Sequence, residues 1–211
     1  MKLKVTNANL IEANPISTIC PHCGNKGTFE IIVGLHDIHI GDGYVCGQRK
    51  CPNLNCRGHL FIIKTGIGGD LLFQYPPLRV PFNTQNIPDC ILKTFDEAIT
   101  CHSESCYVAA AIMIRRTLEE ICEDRDAKGK DLKDRIKDLK TKVILPQDLF
   151  DAMDELRLLG NDAAHLETKY YNQIDKEEVG VAIEFTIELL KALYQYSALL
   201  SKMKELKKTT P

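Results

Sequence analysis

Two groups of residues have the types and spacing to do chemistry. The first is a pair of cysteine knuckles, Cys20-Pro21-His22-Cys23-Gly24 and Cys51-Pro52-Asn53-Leu54-Asn55-Cys56-Arg57-Gly58. Each sets two thiols about a turn apart and follows them with glycine, which lets backbone amides swing toward sulfur. Two such knuckles, each followed by a strand-forming run, describe a zinc ribbon with Cys20, Cys23, Cys51 and Cys56 as ligands. Four thiolates fill the tetrahedral shell of Zn²⁺, so the expected ion is structural. Cys46 stands a little before Cys51 and could take its place; Cys51 is preferred because Pro52-Asn53 repeats the knuckle chemistry. His22 and His59 lie close by in sequence, but four thiolates leave them no position.

The second group is Arg157, Asn161 and His165. At i, i+4 and i+8 they fall on one face of a helix. A histidine near its unperturbed pKa of about 6.5 can move a proton at neutral pH. An arginine offers a planar fork to a phosphate. The same residue types also suit plain helix architecture: Arg157 can pair with Asp154 or Asp162, and His165 can close a helix C-terminus. Gly160, Ala163 and Ala164 beside them would let another helix come close. A glycine inside a helix costs up to about 1 kcal/mol against alanine, so it points to tight packing or function.

The elements that carry these groups differ in grammar. Residues 1–84 read as strands and turns, with strands expected over 28–33, 59–65 and 71–75 and a turn at 66–70. The prolines of 76–81 suit a linker and no central strand. Beyond Ile87 the apolar period becomes helical. Helices are expected from Pro88, over 105–123 (buried on Tyr107, Ala111, Ile114, Leu118 and Ile121), over 131–140, and from Pro146. A last long helix runs from the Asp175/Glu178 capping pattern to about Lys204. The expected fold class is therefore α+β: a small N-terminal zinc-ribbon β module and linker at 1–84, then an all-α helical bundle at 85–211.

Composition narrows the setting. The 211 residues are 44% apolar and 27% charged with formal net charge −2, which announces neither a nucleic-acid nor a membrane partner for the whole molecule. No apolar run approaches the ~20 residues of a bilayer span, and no signal-peptide core follows the first residues. The reading is a cytoplasmic protein without membrane contact, its nine cysteines held as thiols. One local tract, 128–142, holds seven basic and three acidic side chains; it reads as a solvated short helix and loop, or as a surface that could meet RNA phosphates.

Arg115-Arg116-Thr117-Leu118-Glu119, then Leu156-Arg157 and Gly160-Asn161-Asp162-Ala163-Ala164-His165, together with the upstream Cys-Pro-Asn knuckle, resemble the family catalogued as domain of unknown function 4145. That family is grouped with the HEPN superfamily of helical bundles, many of them RNases of toxin–antitoxin, restriction and phage-defence systems. The resemblance implies a HEPN-like bundle with Arg157, Asn161 and His165 as catalytic residues. It also implies metal-independent RNA cleavage at a site shared by a homodimer, and an antitoxin or restriction-system partner. The superfamily signature places four to six residues between arginine and histidine. Here seven intervene and Leu158 is apolar, while the helical phase is kept. The other reading is a HEPN-like module that binds nucleic acid or protein without cleaving.

Overall fold

The computed structural model describes residue 5, residues 7–164 and residues 174–208. The chain forms two compact units, Met1–Pro81 and Phe82–Pro211. Together they make an α+β protein.

The first unit is an antiparallel sheet of β1 (Ala8–Ile11), β2 (Ile16–Ile19), β3 (Lys26–Ile31), β4 (Asp37–Ile40), β5 (Tyr44–Lys50), β6 (His59–Thr65) and β7 (Leu71–Tyr75). β5 is its hub. One edge of β5 is shared, with Tyr44–Cys46 pairing β4 and Arg49–Lys50 pairing β3. The other edge runs its whole length along β6, from Tyr44 against Thr65 to Lys50 against His59. β7 adds to β6, β2 to β3 and β1 to β4. Thr18 on β2 donates to Gln74 on β7 at 2.8 Å, a side-chain link between two outer strands. β6 and β7 have the expected bounds, and the first expected strand falls two residues earlier, at Lys26–Ile31.

The core beside the knuckles is small: Phe29, Leu60 and Ile62 pack with the sulfurs of Cys20 and Cys51, and Val45 and Ile40 are buried as well. Beside it lies a buried charge cluster. Arg49 is fully buried and makes a two-pronged bond to Asp37, Nη1 to Oδ1 at 2.7 Å and Nη2 to Oδ2 at 2.6 Å, while its Nε donates to the Asn14 carbonyl at 2.9 Å. Lys64 approaches the same carboxylate at 3.8 Å and donates to the Ile67 carbonyl at 2.7 Å. Burial draws the Lys64 ammonium pKa below its ordinary value, with Asp37 opposing that shift. Gly47 makes the room, since a Cβ there would collide with the Asp37 carboxylate.

The second unit is built around α2 (Tyr107–Asp124), which packs against α1 (Asp89–Ser103), α3 (Leu132–Leu139), α4 (Gln147–Ala164) and α5 (Lys176–Leu190). Ala111, Ile114, Leu118 and Ile121 of the expected stripe are fully buried, and Tyr107 is half-buried at its end. Cys122 is also fully buried, and burial pushes its thiol up to about 11. Asp131 caps α3 by accepting from the Asp134 amide at 2.9 Å; Asp175 caps α5 by accepting from the Glu177 and Glu178 amides. α5 runs on through a π-helical turn, Lys191–Gln195, into α6 (Tyr196–Lys208). Arg125 takes up the Leu193 carbonyl at 2.8 Å and lies over the Tyr194 ring, and Tyr194 donates to Asp124. Gln195 donates to the carbonyls of Asn83 and Gln85. No helix among the described residues is long and apolar enough to cross a membrane.

The charge cluster yields a stability prediction. Asp37→Ala leaves two buried cations without their anion and should cost about 3–5 kcal/mol. Urea denaturation followed by circular dichroism measures it. A loss under about 1 kcal/mol would mean that the cluster carries little of the β unit.

Candidate metal centre and helical polar face

The two knuckles are the turns of two β-hairpins. Cys20 and Cys23 lie between β2 and β3, Cys51 and Cys56 between β5 and β6. In the first, the Cys20 amide donates to the Asn25 carbonyl and the Gly24 amide to the Cys20 carbonyl, each at 2.9 Å, with Gly24 at φ +71°. In the second, Asn53 caps its own turn and its carbonyl accepts from the Cys56 and Arg57 amides. The Gly58 amide points at the Cys56 sulfur, 3.3 Å away. A Cβ on Gly58 would strike the His22 ring, so glycine is needed for the hairpins to close on each other.

This geometry gathers the Sγ atoms of Cys20, Cys23, Cys51 and Cys56 within 4.8 Å of one another. The Cys20–Cys56 and Cys23–Cys51 separations are both 3.8 Å. A disulfide needs about 2.05 Å, so these are four thiols. Metal–sulfur bonds of ~2.3 Å in a tetrahedron put sulfurs ~3.8 Å apart, which the observed spacing matches. The group could hold a metal ion. Cys46 is elsewhere, on β5 between Ile38 and Ile63, and burial raises its thiol pKa. His22 Nε2 meets the His59 carbonyl at 3.1 Å and His59 Nε2 meets Gln48 at 2.8 Å, so both rings have other partners.

The thiols are unequal. The Asn25 amide and neighbouring thiols bring Cys23 down to about 7, against some opposing desolvation. Burial pushes Cys51 up to about 12, helped by the thiols around it. One thiolate forms readily; four at this separation need a cation among them.

On α4, Arg157 and Asn161 stand on successive turns, one helical step apart. His165 lies outside the described residues. Arg157 pairs with Asp154 at 3.3 Å and is 14% exposed. The residue that completes this face comes from α2. Arg115 reaches across to donate to Asn161 Oδ1, and its Nη1 lies 3.4 Å from the Arg157 carbonyl; its Nε pairs with Glu119 at 3.3 Å. Gly160 is why it can do so, because a Cβ there would collide with the Arg115 Cβ. The close approach suggested by Gly160 is therefore made within the chain, by α2. The Arg115-Arg116 pair was visible in the sequence, but only the helix crossing selects Arg115: Arg116 pairs instead with Glu120 on its own helix, at 3.2 Å. The basic tract 128–142 is partly knitted into its own surface, with Asp138 accepting from the Lys128 amide and pairing with Lys142 at 3.2 Å.

Two tests follow from these contacts. Elemental analysis of the purified chain should find about one metal ion per molecule, lost in Cys20→Ser and Cys56→Ser and kept in Cys46→Ser. Metal that survives Cys20→Ser and leaves with Cys46→Ser would assign a different ligand set. Gly160→Ala gains up to about 1 kcal/mol of helix propensity but meets overpacking of about 1–3 kcal/mol against Arg115. Net destabilisation in chemical denaturation is expected, and a more stable variant would show that α2 and α4 are not locked there.

No curated protein and no solved structure matches the chain. The model of one protein family, the domain of unknown function DUF4145, matches residues 96–209. That span begins in α1, takes in α2 with Arg115 and α4 with Arg157 and Asn161, and ends beyond α6, so the chain belongs to the DUF4145 family.

Proposed function

We propose that this protein acts on RNA. In this reading the helical unit is a HEPN-like bundle that grips a phosphate with Arg115, Arg157 and Asn161 and moves protons with His165. The β unit is a zinc ribbon whose Zn²⁺ is held by Cys20, Cys23, Cys51 and Cys56. The observation that carries the reading is that the Arg115 guanidinium reaches from α2 to the Asn161 carboxamide and lies 3.4 Å from the Arg157 backbone carbonyl on α4, with the part-buried Arg157 side chain one turn from Asn161 on the same helix. Both arginines already hold carboxylates, Glu119 and Asp154, but those are 39% and 41% exposed. Ion pairs this exposed are worth about 1 kcal/mol or less. A phosphate offering two oxygens to a guanidinium fork competes well with them.

The chemistry supported by such a set is internal transfer at a ribose phosphate. The 2′-hydroxyl loses its proton to one imidazole as its oxygen bonds to phosphorus. The 5′ oxygen leaves with a proton from a second imidazole, and a 2′,3′-cyclic phosphate remains. Two copies of His165 supply the two roles if the active form is a homodimer. Zn²⁺ in a shell of four thiolates has no open position and supports the fold alone. The proposed setting is a cytoplasmic prokaryotic defence or toxin system, with an antitoxin or restriction-system subunit as partner.

One contact favours a second reading, in which the module binds nucleic acid or protein without cleaving. Arg115 is committed to Asn161, so opening the face to a substrate costs that bond. Metal-free cleavage assays on single-stranded RNA separate the two. Cleavage without added divalent metal, cyclic phosphate ends and resistance of DNA are expected. His165→Ala should lose about a hundredfold or more, and Arg157→Lys should fall because a point charge cannot replace the fork. Activity that survives His165→Ala would sink the mechanism. RNA binding without turnover, weakened by Arg115→Ala, would establish the second reading.

A further inference from the structure

Among the described residues, α6 carries an exposed apolar stripe, and the element it packs on most is the π turn that precedes it. Tyr196, Leu199, Leu200 and Met203 fall on one helical face and are 53%, 58%, 52% and 57% exposed. The helix is basic, with four lysines against one glutamate in its sequence. Elsewhere on the same unit, α4 and α5 enclose a groove of about 510 Å³. Its apolar floor includes Leu158, Val181 and Phe185, which are 42%, 49% and 43% exposed. Five carboxylates line it (Asp148, Asp151, Glu155, Asp162 and Glu178), and no basic side chain is among its described lining residues.

We infer that α6 of a second copy of this chain seats in that groove, and that the exchange is reciprocal. Charge makes the first argument, since the lysines of α6 meet an acidic rim around an apolar floor. Length makes the second. Along α4 the groove runs from Asp148 to Asp162, about 21 Å, and the thirteen residues of α6 span about 20 Å. The third is helix continuity. Leu190 and Tyr196 both have right-handed helical φ and ψ, so α6 continues α5 through the π turn and leads away from the groove that α5 itself lines. It cannot fold back onto that groove without breaking the helix, so the occupant comes from another molecule. Antiparallel pairing of two such long helices sets each α6 on the other's groove when the two-fold axis crosses near Ala192. That residue lies midway between Phe185 and Leu199 and within the π turn. A two-fold contact uses each patch twice, so the seat is made two times per dimer.

This interface stands apart from the RNA reading. A dimer formed through another surface would overturn it and leave cleavage untouched, while an inactive protein could still form it. Sedimentation equilibrium on the full chain is the test, with circular dichroism to confirm unchanged helix content. The wild type should be dimeric at micromolar concentration. Leu199→Glu with Met203→Glu, both exposed and outside the folded core, should raise the dissociation constant by about a hundredfold or more. Phe185→Glu should do the same from the groove side. Lys202→Glu with Lys204→Glu should weaken the dimer, as should Asp151→Lys with Glu155→Lys, and all four changes together should recover it. A monomeric wild type, a dimer indifferent to Leu199→Glu with Met203→Glu, or additive loss in the four-fold variant would each overturn the inference.

Discussion

Four sulfur atoms within 4.8 Å of one another repel as thiolates and pack poorly as thiols, and two of them lie in the middle of the β unit's core. That arrangement constrains everything around it. With Phe29, Leu60 and Ile62 in this cluster and Ile40 and Val45 beside them, the unit has a modest apolar area to hold seven short strands together. A metal ion held by these four sulfurs would cross-link the two hairpin turns and fix β2–β3 against β5–β6. The Asp37–Arg49–Lys64 cluster does the corresponding work for β4, β5 and β6, since its three residues sit one on each strand. It specifies register in a way that a greasy contact would not, because a one-residue slip would turn a buried ion toward solvent.

The helical unit solves a different problem. α2 is surrounded by other helices and so is apolar around much of its girth, yet Arg115 lies on it near the crossing with α4. The absent side chain at Gly160 lets the Arg115 stem pass over α4 and its head reach Asn161. Polar face and close helix packing are thus one feature seen from two sides. A change that relaxes the crossing also moves the arginine.

Much of this was legible in the sequence, for identifiable reasons. The knuckles repeat cysteine, turn and glycine, and local chemistry of that kind survives folding. β6 and β7 alternate or run apolar between clear turn residues, and Asp131 and Asp175 are caps readable from their own neighbours. β1 and β2 were not apparent, being four residues each and largely exposed. The second half of β5 was hidden by its own composition. Tyr44-Val45-Cys46 reads as a piece of strand, but Gly-Gln-Arg-Lys after it looks like surface until Asp37, twelve residues upstream, is seen to neutralise Arg49. The expected last helix is interrupted by a π turn where Arg125 and Asp124, 68 and 70 residues upstream, hold the Leu193 carbonyl and the Tyr194 hydroxyl. Arg115 likewise needs the α2–α4 crossing to single it out from Arg116. Each miss is a tertiary partner that no local pattern encodes.

The cysteines outside the metal cluster differ sharply in access. Cys90 and Cys106 are exposed at the ends of α1 and α2, while Cys122 is sealed within the bundle and its thiol is held protonated. An alkylating reagent meets the first two at once and reaches Cys122 only when α2 parts from its neighbours. The molecule therefore carries an intrinsic clock for opening of its helical unit. The rate at which Cys122 becomes labelled, at reagent concentrations low enough for reclosing to win, reports the free energy of that opening in the unmodified chain.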